Sequence, residues 1–278
     1  MKKINRRSFL AAAGLTAAAL ALTACGGSAS STASSTASSA ASSEAASTSA
    51  AAELTTVEAG KLTMATNAAF PPYEMTTDAG EFEGIDIDTA KAIAEKLGLE
   101  LQIDDMDFDA ALLSVQQGKA DIVMAGVTVT DERKVVMDFS DSYATGIQSI
   151  IVPEGSDITS PDDLAGKKIG TQRGTTGYIY CSDDFGDDAV VAYDDGLTAV
   201  QALKNGQVDA VVIDNAPAKE FVAANPGLVI LDTSYAEEDY AIGLAKGSAL
   251  EDAVNAALEE LKADGTLQSI VDKYITAE

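Results

Sequence analysis

The chain has no histidine, no tryptophan and only two cysteines among its 278 residues. Without histidine, a Ser-His-Asp or Cys-His hydrolase is excluded, and a zinc enzyme loses its commonest ligand. Two cysteines cannot build a disulfide framework. Cys181 stands alone in the globular part, where a small, partly buried side chain is its expected role. Cations are scarce as well: 18 Lys and Arg face 44 Asp and Glu, for a net charge of −26. Such a field repels DNA, RNA and anionic head groups, so nucleic acid is excluded as a partner. Beyond the N-terminal segment there is no apolar run of about 18 residues, and no G-x-x-x-x-G-K-[ST] phosphate loop occurs. In a transport system, the channel and the motor would have to be other chains.

What is present begins with a secretory signal over residues 1–24. Lys2, Lys3, Arg6 and Arg7 lead into "FLAAAGLTAAALALTA", which is too short and Ala-rich for a spanning anchor. The run closes on "LTACGG", which resembles a bacterial lipobox with Cys25 as the lipid acceptor. "NRRSFL" also resembles a twin-arginine export signal, with ordinary signal cations as the alternative. Cleavage before Cys25 would remove those four cations and take the net charge from −26 to −30. Residues 26–53 are almost wholly Ser, Ala and Thr and bury too little to offset their ordering entropy. A flexible linker over 25–56 is therefore expected, reaching about 30 Å on random-coil scaling. Anchor and spacer together place the working domain outside a bacterial cell membrane, held by lipid alone.

From Val57 onward, apolar strands alternate with amphipathic helices. Strands are predicted at 61–66, 100–105, 121–126, 148–153, 167–172, 189–193, 208–214, 228–231 and 240–245. Helices are predicted at 86–98, 110–117, from about Thr175, at 197–204, at 216–223, and twice at the C-terminus. Asp88 is a candidate N-cap for the first, with Ile87, Ala90, Ile93, Ala94 and Leu97 on one face. Leu250, Val254, Leu258 and Leu261 share a stripe near the end. The pattern implies an α/β fold with mainly parallel sheets, and two such series suit two lobes.

Ligand crevices of α/β sheets lie beyond the carboxyl ends of strands, and chemistry-bearing residues collect there. After Cys25 only two arginines remain, Arg133 and Arg173. Arg133, with Thr128 beside it, follows the strand "DIVMAG", and its guanidinium fork matches a carboxylate. A salt bridge to Asp131, Glu132 or Asp138 is the structural alternative. "GTQRGTTG" runs from strand to helix and offers free backbone amides, unless Thr175 or Thr176 merely caps the helix. Asp214 ends "VDAVVID" and could hold an ammonium group or cap the next helix. Phe70 and Phe108 lie just beyond strands, where core packing is the alternative. The acidic runs at 104–109 and 182–188 lack calcium-loop order and read as solvated surface. One Arg with a helix start, plus one Asp, is the complement of a free α-amino acid.

"NAAFPPYE", "GIDIDTAKAIAEKLG", "MAGVTVTDERKVVMDFSDSY", "DLAGKKIGTQRGTTG" and "VDAVVIDNAPA" resemble successive signature stretches of the family 3 periplasmic solute-binding proteins. The match is collinear from about residue 60 to 275. The resemblance implies a type II periplasmic-binding-protein fold whose lobes, 57–144 with 241–278 and 145–240, are joined by two crossover strands. It implies that Arg133 grips the α-carboxylate with the amides of Thr128 and Thr176. The Gly126 carbonyl, the Thr128 hydroxyl and Asp214 would take the α-ammonium, and Phe70 and Phe108 would sandwich the ligand. The implied partners are an ABC permease and ATPase on other chains. A monomer is expected, with no cofactor and no metal.

Three departures bear on the ligand. Asn67 stands where several relatives carry Asp, while Gln172 and Ile213 stand where glutamine-binding relatives have Lys and His. All three are uncharged, so a neutral or polar amino acid is expected. Were Arg173 to turn inward, an acidic side chain would fit instead. The alternatives are an enzyme on the same fold, resembling cyclohexadienyl dehydratases and using Asp214 or Glu74, and a ligand-sensing lipoprotein.

Overall fold

The computed structural model describes residues 54–275. The signal segment, Cys25 and nearly all of the Ser/Ala-rich linker lie outside the described residues. Two sheets organise the rest, each covered by helices. In the first, the strands run in the order Glu100–Asp105, Lys61–Thr66, Ile122–Val123, Gly243–Ala245, Met137–Phe139. The Lys61–Thr66 strand is buried at every position but its first, as a central strand covered on both faces must be. The second sheet runs Val190–Tyr193, Ile169–Gln172, Ala210–Asp214, Ala144–Pro153, Leu228–Ile230, with Ala236–Tyr240 also pairing with Ala144–Pro153.

The helices lie where their apolar stripes can be buried. Ile85–Leu97 turns Ile87, Ala90, Ile93 and Ala94 into the first core. There they meet Val254, Leu258 and Leu261 of the Glu251–Ala263 helix, with Leu250 just ahead of it. Asp88 does not cap the first helix: the helix begins at Ile85 after Gly84, and Asp88 pairs with Lys273 and Lys91. Gly84 has φ +135°, and a Cβ there would fall 2.1 Å from the Tyr73 carbonyl oxygen. No other residue type fits that entry.

The sheets are mixed rather than mainly parallel. Lys61–Thr66 is parallel to both its neighbours, and Ile169–Gln172 is parallel to both of its own. The strands that carry the chain between sheets run antiparallel to theirs. The chain crosses on the crevice side, where the parallel strands end, so each arriving strand runs the opposite way. The same crossing breaks the strand expected at 240–245. Ala236–Tyr240 belongs to the second sheet and Gly243–Ala245 to the first. Hydrophobicity is continuous across that break because both halves are buried, and so it concealed the change of sheet.

Candidate functional site

The parallel strands of both sheets point their carboxyl ends at one crevice. Asn67 follows Lys61–Thr66, and Phe70 lies in the short antiparallel ribbon that comes next. Phe108 starts the Phe108–Gln116 helix. Gly126 and Thr128 lie beyond Ile122–Val123, and Arg133 sits in the short Asp131–Val136 helix. From the second sheet come Gln172, Thr175, Thr176 and Asp214. All ten of these sequence-derived candidates line a single crevice of about 440 Å³, solvent at its mouth included.

Arg133 is 8 % exposed. It forms no ion pair with Asp131, Glu132 or Asp138; Asp138 is held instead by Lys246. Its guanidinium donates to the carbonyls of Thr128 at 2.8 Å and Gly174 at 3.1 Å, and its carbon lies 5.5 Å from the centre of the Phe108 ring. Those bonds and the ring hold the fork without neutralising it. Burial works against its charge, and Glu238 is the largest opposing charge it feels. A buried cation of this kind calls for an anion.

Asp214 faces it from the second sheet, 2 % exposed. Its Oδ1 accepts from the Ala216 amide, so it does cap the Asn215–Ala224 helix, while Oδ2 accepts from the Ile147 amide at 2.8 Å and the Tyr240 hydroxyl at 2.7 Å. Burial still raises its pKa to about 6, outweighing these donors. The helix cap and an anionic site are thus one carboxylate in two uses, because three donors leave some of its acceptor capacity free.

The walls also touch each other directly. Gln172 donates to Asn67 Oδ1 at 2.8 Å, and Asn67 donates to the Met106 carbonyl. Thr128 and Thr176 hydroxyls stand 3.4 Å apart. Thr175 serves as the N-cap of Thr176–Phe185, accepting from the Tyr178 amide and donating to the Gln172 carbonyl. Arg173 turns away: it is exposed and reaches Asp194 at 3.5 Å.

Beneath the crevice lies an acidic floor. Glu74 lines the crevice with 0 % exposure, and its carboxyl has the Asp86 carboxyl as its hydrogen-bonding neighbour. Burial and then the Asp86 charge push its pKa well up. Asp86 is also fully buried and accepts from the Gly126 amide at 3.0 Å, and burial raises it to about 6. Asp86 thereby holds Gly126 at φ +55°, close under Phe70 and Tyr240.

Several lining residues were not singled out as ligand contacts from the sequence: Glu74, Ala125, Gln148, Val212, Ile213 and Tyr240. Behind them sit Asp86 and Glu238. Along Ala236–Tyr240 burial alternates: Glu237 and Asp239 are exposed, while Glu238 and Tyr240 share one inward face. The period of two was the available signal, and charge obscured it.

Comparison with known proteins fits this geometry. The family described as bacterial extracellular solute-binding proteins, family 3, matches residues 62–277. A probable histidine-binding protein of Neisseria gonorrhoeae is 32 % identical, covering 99 % of this chain and 98 % of the relative. The arginine-, lysine-, histidine-binding protein ArtJ of Geobacillus stearothermophilus is similar in structure. It has a TM-score of 0.75 at 34 % identity, over 78 % of this chain and 96 % of that one. An ancestral arginine-binding protein bound to glutamine has a TM-score of 0.75 at 43 % identity, over 78 % and 99 %.

Proposed function

The chain belongs to the bacterial extracellular solute-binding proteins of family 3, and from that premise we propose that it captures one free α-amino acid in this crevice for an ABC importer. The observation that carries the reading is the pairing of Arg133, a buried cation with no ion pair among the described residues, with Asp214, a buried carboxylate on the facing wall. A zwitterion satisfies both at once and bridges the walls, which favours the closed arrangement. The lobes, 57–144 with 241–278 and 145–240, close as a monomer around the ligand, with Phe70 and Phe108 against it. The permease and the ATPase are separate chains. Cys25 carries the lipid that holds the protein outside the cell membrane, and Cys25→Ala should release it into the medium.

The side chain is neutral and polar. Asn67 and Gln172 offer amide groups at the joint between the walls, and Arg133 is the one cation among the described crevice residues. With Arg173 turned to solvent, no second cation among the described residues faces an acidic side chain in the crevice. The relatives whose names cite histidine, or arginine, lysine and histidine, make basic amino acids the sharpest comparison. A thermal-shift screen of the twenty amino acids tests this directly. A ligand at a hundred times its Kd adds about 2.7 kcal/mol of native stability. The largest shift should come from a neutral polar amino acid and none from glutamate. No shift with any amino acid would overturn the reading.

A second reading, a dehydratase on the same fold, draws on Glu74, whose raised pKa and position suit a general acid. Absence of turnover of prephenate or arogenate would remove it.

A further inference from the structure

Glu238 is a buried acid to which the amino-acid reading gives no role. It sits on Ala236–Tyr240, where that strand pairs with Ala144–Pro153, and it is absent from the crevice lining. Its Oε2 accepts from the Thr128 hydroxyl at 3.1 Å and from the Gln148 amide at 3.0 Å. Its other oxygen is buried with no hydrogen-bond partner among the described residues.

We propose that Glu238 is a positioning residue that fixes the direction of the Thr128 hydroxyl, so that this hydroxyl serves the α-ammonium of the ligand and not its carboxylate. This rests on the amino-acid reading given above. A hydroxyl has a single proton, and a carboxylate can only accept. The Thr128 proton is therefore committed to Glu238, and what Thr128 turns to the crevice is its lone pairs. Lone pairs accept from an ammonium and repel a carboxylate. Thr176, 3.4 Å away, is a long contact whose proton is not taken by Glu238. The carboxylate is thus left to Arg133 and the helix start at Thr176, and the ammonium to Thr128 and Asp214. Glu238 keeps the two ends of a zwitterion from binding in reverse. Its charge stays behind Thr128 and makes no ion pair with Arg133, so the guanidinium remains open to the ligand.

The test compares each amino acid that stabilises the wild type in the screen with its des-amino acid, which keeps the carboxylate and side chain but lacks the ammonium. For L-glutamine that counterpart is glutaramic acid. Glu238→Met removes the acceptor and should cut the preference for the amino acid over the des-amino acid by about tenfold or more. Glu238→Gln can place an oxygen in the same position and should stay within about threefold of the wild type. Thr128→Val leaves Glu238 in place and should lose the same preference, so the idea stays testable if Glu238→Met does not fold. The inference is overturned if Thr128→Val or Glu238→Met weakens both compounds equally or leaves the ratio unchanged. It is overturned equally if Glu238→Gln fails as badly as Glu238→Met. A wild type that binds none of the twenty amino acids sinks the functional reading itself, which is a distinguishable result.

Discussion

Acidification should dissolve the ammonium site before it unfolds the protein, and Asp214 sets the range. Without ligand, burial holds its pKa at about 6 although Tyr240 and two backbone amides donate to it. Glu238 adds a weak repulsion in the same direction as burial. An ammonium needs the ionised form, so ligand binding pulls this pKa down. The sign follows: affinity is full above pH 6 and falls about tenfold per unit below it. From pH 7.5 to pH 5 the loss is about tenfold, or about 1.4 kcal/mol. The ligand's own carboxyl titrates lower and does not contribute in this range. Titration calorimetry at several pH values, in two buffers of different ionisation enthalpy, reads both the affinity and the proton released on binding. About one proton should leave at pH 5 and none at pH 7.5. Asp86 titrates in the same region, so Asp214→Asn is the control: its weaker affinity should no longer vary with pH in this way. Flat affinity in the wild type, or the same slope in Asp214→Asn, would refute the assignment of the ammonium to Asp214.

Arg133→Ala should keep the far-ultraviolet circular dichroism spectrum and lose about a hundredfold in amino-acid affinity, as removal of charge-assisted bonds worth roughly 1.5–3 kcal/mol implies. Arg173→Ser should leave that affinity unchanged, since Arg173 faces Asp194 in solvent; a weakened titration would place it in the site after all. Asp86→Asn can keep an acceptor for the Gly126 amide while removing a buried charge. A carboxyl raised from 3.8 to about 6 is a native state that binds more protons than the unfolded one, so wild-type stability falls as pH climbs through that window. Urea midpoints should therefore show Asp86→Asn gaining up to about 3 kcal/mol at pH 8 and almost nothing at pH 4. Gly146→Ala would put a Cβ 2.6 Å from the Tyr240 ring and 2.7 Å from Asp214 Oδ2. A loss of about 1–3 kcal/mol in urea unfolding, together with weakened binding, is expected.

Much of the site was legible in the chain because it sits at strand exits. Strand ends follow from local hydrophobic runs, and an α/β sheet collects its exits into one crevice. Arg133 and Asp214 were found in that way, whereas Asn67 and Gln172 came from the family resemblance; all four line the crevice. The alternation of strands and helices is equally local and was equally readable. The 240–245 run marks the limit: six apolar-patterned residues carry no signal that they divide between two sheets.

By itself the amino-acid sequence determined the class of the fold, the order of its elements and the absence of histidine chemistry. It also determined that one arginine and one aspartate stand ready at strand ends. Only the tertiary structure decided which charges are buried and which way they point. Arg173 and Arg133 are alike as residues, yet one meets solvent and the other the crevice. Glu238 stands between the acidic residues Glu237 and Asp239, yet it is buried and its partner Thr128 is 110 residues away. The physical reason is that burial and hydrogen-bond direction depend on neighbours distant in sequence, whereas periodicity depends on neighbours within a turn or a pleat.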